Sequence, residues 1–519
     1  MPRITSFALG AALALNSAIA SAQQFADPDR LAKLSAAVPE IDRVMQRFAE
    51  QSKVPGIAYG IVVDGRLVHV GTAGFRELSS HSSVDTATVF RIASMTKSFT
   101  ALSILQLRDA GKLSLDDPAE RYVPELEGLK YPTSDAPKIT IRHLLSHSAG
   151  LPEDNPWGDQ QLAATDAEMS AMIRRGIPFS TVSGTSYEYS NFGFAILGRV
   201  VANVSGMPYA RYVSKSLLEP LGMSVTTLEA TRVPVPRLAH GYRLQEGAWL
   251  EEKQLPDGAF GSMGGMLTSV SDLSKWVGFM LDAWPPRDGQ ERGPVRRASV
   301  REMQQVVRYN GAFASRDTSN GTVTLSAGGY GFGLGVRQTC LFAISVSHTG
   351  GLPGFGSLMR WLPDYGVGIV ALGNLTYTSW GAPTSQALDI LSRTGALVPR
   401  GAQPAAVLTE RREQVSRLVA HWDDGLADSI AAMNLYLDES KDRRRGAIDA
   451  LRAQAGEGCR DEGPFVAENA LRGRWRMRCK DGDLRVSITL APTVPAGVQF
   501  LDVALMKRKE TLDPVPVCR

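Results

Sequence analysis

Two stretches far apart in the chain carry mirrored patterns, and together they constrain the fold more than any other feature. Between Asp27 and about Lys53, Leu31, Leu34, Val38, Ile41, Val44, Met45 and Phe48 recur at helical spacing, which predicts an amphipathic helix. Gly56 to Val63, the pair Asp64-Gly65, and Arg66 to Val70 then read as a strand, a tight turn and a strand. Towards residue 400 the order reverses. Three strand-like runs lie between Tyr330 and Asn374, the last two joined by a turn at Pro363-Asp364-Tyr365-Gly366, and a helix follows from about Pro383 to Leu391. Helices at both ends with antiparallel strands between them predict an α/β fold, an antiparallel sheet flanked by helices.

Between those stretches, Phe90-Arg91-Ile92-Ala93-Ser94-Met95-Thr96-Lys97 follows a strand-like region and opens an apolar helix, Phe99 to Leu107, that ends near Gly111. A Ser and a Lys three apart on a helix share one face, a single turn from each other. At a helix N-terminus the serine N–H is also free to point at a developing anion. A hydroxyl nucleophile, an amine that can take its proton and a backbone donor for an oxyanion are the parts acyl transfer needs. Lys97 is the one lysine in the chain with a serine three residues before it.

The chain has 519 residues, too many for one ordinary domain, so two or three are expected. Its 44% hydrophobic and 21% charged residues are those of a globular protein with a large core. A formal charge of +3, with no basic stripe or aromatic-interleaved arginine cluster, argues against nucleic acid as a partner. Met1 to Ala22 reads as a secretory signal: Arg3 at the positive end, Phe7 to Leu15 as the apolar run, Ala20-Ser21-Ala22 as the cleavage site. The apolar run is too short to span a bilayer, so a periplasmic or secreted protein cleaved near Ala22, without a transmembrane anchor, is expected. In an oxidising compartment Cys459 and Cys479 are candidates for a disulfide, and Cys340 with Cys518 for a second. Four cysteines allow three pairings, so connectivity stays open. With no CxxC and no paired histidine spacing, neither a metal nor a cofactor is expected.

Residues 282–296 and 311–330 read as loops, and 150–185 as irregular with one helical run. Residues 401–408, with Pro404, read as a linker between a main domain, 23–400, and a small C-terminal α+β module, 409–519. The module has helical stretches at about Thr409–Leu426 and Leu437–Ala455, then strand-like runs at Ala470–Cys479, Leu484–Leu490 and Val498–Lys507. Lys480-Asp481-Gly482-Asp483 is a hairpin turn between the first two runs. The module carries no constellation convertible to chemistry; covering a cleft, pairing subunits and contacting the cell envelope are the roles open to it.

Two further motifs join Ser94 and Lys97. Tyr189-Ser190-Asn191 lies in a turn before the helix that starts at Phe194. His348-Thr349-Gly350-Gly351 ends a strand, Phe342 to Ser347, that feeds a Gly-rich bend. S-x-x-K, then Y-x-N, then H-T-G, in this order, resembles the serine β-lactamase and penicillin-recognising hydrolase family. The resemblance is to its class C-like, DD-peptidase, D-aminopeptidase and esterase branch. Phe90-Arg91-Ile92-Ala93, Leu144 to Leu151 and Gly351 to Asn374 resemble the family too, so the likeness covers about 35–395.

The resemblance implies an all-helical region beside the sheet, and roles for named residues. Ser94 would attack a carbonyl and form an acyl-enzyme. Lys97 and Tyr189 would share the proton transfers, the choice of base staying open, and Asn191 would position the substrate amide or Lys97. The oxyanion would sit between the N–H groups of Ser94 and Gly351, with His348, Thr349 and Gly350 lining the substrate site. His348 stands where many members carry Lys; a histidine is mostly neutral at pH 7, which argues against an efficient penicillinase and towards peptidase or esterase relatives. Arg337 is a candidate cation for a substrate carboxylate. Ser183 precedes Gly184 where relatives often have Pro, and His143 and His147 read as structural. No G-x-S-x-G elbow, H-E-x-x-H, Walker A or G-x-G-x-x-G motif competes. The expected partner is thus a small ester, a D-amino-acid peptide or amide or, more poorly, a β-lactam. The other reading is a sensor or cell-wall-ligand binder that is acylated without turning over.

Overall fold

The computed structural model describes residues 25, 27–316, 323–507 and 510–512. The expected signal, Met1 to Ala22, lies outside them. The chain divides into two compact units, Met1–Val398 and Pro399–Arg519.

The first unit is built on a nine-stranded sheet. Its strands are β1 (Gly56–Val63), β2 (Arg66–Glu77), β3 (Ser82–Ser83), β4 (Arg308–Arg316), β5 (Val323–Tyr330), β6 (Gly335–Thr339), β7 (Ser345–Leu352), β8 (Phe355–Leu362) and β9 (Val367–Gly373). They run in the order β3-β2-β1-β9-β8-β7-β6-β5-β4, every neighbouring pair antiparallel. The two ends of the domain therefore meet in the middle, with Ile57 opposite Gly373 and Val63 opposite Val367.

The central strand is buried along its whole length because helices cover both faces. Ile57, Tyr59, Ile61 and Val63 face one core with Ile41 and Met45 of helix α1 (Val38–Gln51) and with Leu388 and Leu391 near the end of the unit. Ala58 and Val62 face the opposite core, with α2 (Thr96–Asp109), α3 (Asn191–Ser205) and α4 (Val270–Asp282). Helix α5 (Gly381–Arg393) closes the domain beside α1, as the reversed pattern near residue 400 predicts. The mixed α/β architecture expected from the sequence is the one present.

Several boundaries differ for identifiable reasons. The first amphipathic stretch is two helices, Arg30–Ala36 and α1, because Pro39 has no N–H to continue the ladder. Residues 311–330 are not loop but mostly β4 and β5, paired from Arg308↔Tyr330 to Arg316↔Val323. Their composition hides this because backbone pairing at the sheet edge, not a buried side-chain face, holds them: Tyr309, Phe313, Val323 and Leu325 are exposed. Nor does a bend begin at His348. Strand β7 continues through Leu352, since β8 supplies a complete ladder from Val346↔Trp361 to Leu352↔Phe355.

The second unit packs helices on a five-stranded antiparallel sheet. Arg472–Arg478, Asp483–Leu490 and Val498–Leu505 are its central strands, joined first by the expected Lys480–Asp483 turn. The first helical stretch is Ala406–Ala420, so it starts inside the expected linker. It is separate from Asp424–Ile430, whose start the Asp423 carboxylate caps. The second begins at Lys441 because Ser440 caps it. Cys459 and Cys479 are bonded; Cys518 lies outside the described residues.

Candidate active site

Ser94 is delivered by a turn that the surrounding chain holds under strain. The strand Val89–Arg91 pairs with Leu267–Ser269, and the Ile92 N–H donates to the Met266 carbonyl at 3.0 Å. Ala93 then adopts a left-handed φ of 48°, which costs a residue with a β-carbon free energy and persists only where neighbours enforce it. Thr96 enforces it here: its hydroxyl donates to the Ala93 carbonyl at 2.6 Å and accepts the Met266 N–H at 3.2 Å. One 3-10 turn, Ala93–Met95, passes directly into α2.

Every residue of α2 from Thr96 to Leu105 is buried, so Lys97 enters the core with its side chain 0% exposed. Its ammonium nitrogen meets three oxygens: Ser94 Oγ at 3.0 Å, Asn191 Oδ1 at 2.6 Å and the Met263 carbonyl at 2.8 Å. Burial drives the Lys97 pKa down to about 7, and the carboxylates of Asp159 and Asp154 oppose the fall without cancelling it. Asn191 is equally fixed. It is the first residue of α3, its N–H and that of Phe192 donate to the Asp154 carboxylate at 2.6 and 2.8 Å, and its amide donates to Asn155 Oδ1 at 3.1 Å.

Tyr189 reaches the same point from the preceding turn. Its phenol is a hydrogen-bond partner of Ser94, and its ring face lies 4.7 Å from the Lys97 nitrogen. Burial holds that phenol well above its ordinary pKa, reinforced by Tyr187, Asp159 and Asp154. His147, expected to be structural, positions this segment. Its carbonyl accepts the Glu188 N–H at 2.8 Å, its Nδ1 accepts the Ser190 N–H at 3.0 Å, and its ring packs 4.2 Å from that of Tyr189.

His348 is buried, its ring 6.4 Å from that of Tyr189. Its Nδ1 lies 2.6 Å from the Thr349 carbonyl, which can only accept, so Nδ1 carries the proton. Nε2 is then a lone pair that accepts the Tyr330 hydroxyl at 2.8 Å. Burial first, then the proximity of Lys97, takes its pKa down to about 3, so this histidine is neutral throughout the physiological range.

Strand β7 runs past the nucleophile with one edge free of β6, whose pairing stops at Gly335↔Ser347. Beyond that rung lie His348 to Leu352. Glycine is required twice there. A β-carbon at Gly350 would sit 2.1 Å from the Ile92 carbonyl oxygen, and one at Gly351 would sit 2.5 Å from the Tyr377 ring. The Ser357 hydroxyl donates to the same Ile92 carbonyl at 2.9 Å, clamping the strand to the Ser94 turn. Arg337, paired with Ser345, is exposed and stands 5.1 Å above the Phe313 ring, and its charge reaches Tyr187, whose ring packs on His147 and Tyr330 at the rim of the group.

Of the residues expected at the site, Ser94, Lys97, Tyr189 and Asn191 converge, with Gly350 and Gly351 packed against them. Asp154, Asn155, Asp159, Met263, Tyr330 and Tyr377 were not expected. Most act through a backbone atom or lie on irregular segments, where no spacing marks them. Among the described residues no group of side chains is suited to hold a metal ion, and no helix is long and apolar enough to cross a membrane.

An antiparallel sheet and a helical region with a serine, lysine, tyrosine and asparagine at their junction define the penicillin-binding-protein class of fold. An octameric penicillin-binding protein homologue from Pyrococcus abyssi superposes with a TM-score of 0.55, at 20% identity, over 91% of this chain and 98% of that one. The chain belongs to the β-lactamase family, whose model matches residues 41–391. Among its relatives, "Protein flp" of Staphylococcus aureus (strain COL) is 27% identical over 339 residues, 65% of this chain and 63% of that protein. "Penicillin-binding protein 4*" of Bacillus subtilis (strain 168) is 26% identical over 325 residues, 60% of this chain and 66% of that one. The match thus spans a little under two thirds of the length of the flp relatives.

Proposed function

We propose that the chain is an exported serine hydrolase that works through a Ser94 acyl-enzyme. Its substrates would be small esters or D-amino-acid peptides and amides, in the manner of DD-carboxypeptidases, D-aminopeptidases or esterases, with weak β-lactam hydrolysis. The set of partners around Lys97 carries the reading. Of its three oxygen neighbours, the Asn191 amide oxygen and the Met263 carbonyl can only accept. A neutral amine has two N–H donors and one lone pair. With both donors spent on those two oxygens, the lone pair faces the Ser94 hydroxyl, and Lys97 becomes the base.

The steps follow from that assignment. Lys97 takes the Ser94 proton as Oγ attacks the carbonyl, and the oxyanion is held by the N–H groups of Ser94 and Gly351. Tyr189 keeps its phenolic proton far above pH 7, so it acts as a proton donor, passing one to the leaving group while Lys97 resupplies it. Water then attacks the acyl-enzyme, and the same groups run in reverse to release the product.

The test is sustained turnover. The purified protein should hydrolyse a chromogenic short-chain ester through many cycles, and Ser94→Ala should abolish it without changing the unfolding midpoint. A single stoichiometric burst that stops would replace the hydrolase with a protein that is acylated and signals.

A further inference from the structure

Near Lys97 lies a buried carboxylate that the acyl-transfer steps leave unused. Asp159 is 2% exposed. The residue before it, Gly158, packs so closely on Asn191 that a β-carbon there would come within 2.8 Å of the asparagine side chain. On the other flank its Oδ2 accepts the Tyr377 hydroxyl at 2.5 Å. The Tyr377 ring in turn lies against the α-carbon of Gly351, and its backbone takes a left-handed φ of 51° to get there. Gly158 and Asp159 together therefore link Asn191 on one side, through Tyr377, to Gly351 on the other.

The carboxylates of Asp154 and Glu153 act on it with like charge, and Lys97 is the cation that acts on it. Asp154, the nearest comparable carboxylate, is consumed in capping α3, with bonds from the Asn191 and Phe192 N–H groups and from Ser190. The Asp159 carboxylate has only the Tyr377 hydroxyl as a hydrogen-bond partner among the described residues. Of the cations expected for a substrate carboxylate, His348 is neutral, and Arg337 is exposed above the Phe313 ring with its charge reaching Tyr187. Once Lys97 is neutral, nothing at the reacting centre balances Asp159. Burial raises the Asp159 pKa to about 6, so it is ionised above that pH and gains most from a cation brought into contact with it.

We infer that Asp159, oriented by Tyr377, is the specificity residue of the cleft and receives a cationic group, of the ammonium class, on the acyl portion of the substrate. The inference rests on the reading of Ser94 as the nucleophile and narrows it. Among the substrates open to this site, those with a positive charge near the scissile carbonyl are favoured, neutral ones tolerated, and carboxylate-bearing ones disfavoured. A bond from a buried carboxylate to a cation corresponds to about 10- to 100-fold in affinity.

The experiment compares two 4-nitrophenyl esters of matched shape, one with a trimethylammonio group at the end of a short acyl chain, the other with a tert-butyl group. Assay at pH 9 keeps Lys97 neutral in every variant. The expected wild-type ratio of kcat/KM, cationic over neutral, is at least tenfold, and Asp159→Asn, which still accepts the Tyr377 hydroxyl, should collapse it through KM. Equal loss on both esters, or a wild-type preference for the neutral ester, would overturn the inference while leaving the hydrolase intact. If neither ester turns over, the hydrolase reading falls, and binding decides the inference. Calorimetry on Ser94→Ala should then give a Kd for the cationic ester at least tenfold tighter than on the Ser94→Ala, Asp159→Asn pair, and an equal Kd would overturn it.

Discussion

Replacing Asn191 by Asp puts a negative charge on the side chain beside the Lys97 nitrogen and should move the pH profile of the enzyme by a large, calculable amount. The amide oxygen lies 2.6 Å from Nζ, in a site where burial has already taken the Lys97 pKa to about 7. A carboxylate oxygen at that distance, at an effective dielectric of ~20, attracts the ammonium by about 6 kcal/mol, which corresponds to between four and five pKa units. Even half of that raises the Lys97 pKa by about two units. Because the neutral amine is the active form, the sign is fixed: the rising limb of kcat/KM, centred near pH 7 in the wild type, shifts to about 9 or higher. At pH 7 the neutral fraction falls from about one half to about one in a hundred or less, and activity with it. The assay is hydrolysis of a neutral chromogenic ester from pH 5 to 10.5, with unfolding midpoints measured alongside. Recovery of activity at high pH distinguishes a titrated base from a damaged fold. A limb that stays near pH 7, or activity lost equally at every pH, would refute Lys97 as the base.

Two other substitutions test separate parts of the site. His348→Lys puts a second amine beside Lys97 and removes the neutral bridge from Tyr330 to the Thr349 carbonyl. It should improve kcat/KM for carboxylate-bearing substrates over neutral esters by about tenfold, and equal effects on both would show that this position does not anchor a carboxylate. Gly350→Ala forces a β-carbon to 2.1 Å from the Ile92 carbonyl oxygen and 2.3 Å from the Ser357 hydroxyl. A loss of about 3 kcal/mol in denaturant unfolding is expected, together with slower ester hydrolysis, and an unchanged midpoint would mean that the clamp between β7 and the Ser94 turn is soft.

How much of this was legible in the residues varies with the physics involved. Strands β1 and β9 announce themselves because both faces are buried, which demands continuous apolar residues such as Ile57 to Val63. Strands β4 and β5 do not, because an edge hairpin with Tyr309, Phe313 and Leu325 exposed is held by backbone bonds that any sequence can make. Gly350 and Gly351 read as a bend but lie in a strand; glycine serves there because the Ile92 carbonyl and the Tyr377 ring come too close for a side chain. Within the site, Ser94, Lys97, Tyr189 and Asn191 stood out through their spacing and order. The Met263 carbonyl and the carboxylates of Asp154 and Asp159 carry no such mark, since nothing local says that residues in an irregular loop will fold back beside a lysine.

The amino-acid order alone determined which groups can react, how far apart on a helix the first two lie, and that helices would flank antiparallel strands, because these depend on residue type and on periods of two and 3.6. Only the folded arrangement decided what state those groups are in. Whether an amine is a cation or a base, and whether a histidine carries charge, depends on desolvation and on which oxygen stands within 3 Å. Lys97 acquires those surroundings from Asn191 and Met263, more than 80 residues away, and His348 from Tyr330 two strands along the sheet and from the nearby Lys97, so their protonation is a property of the tertiary structure.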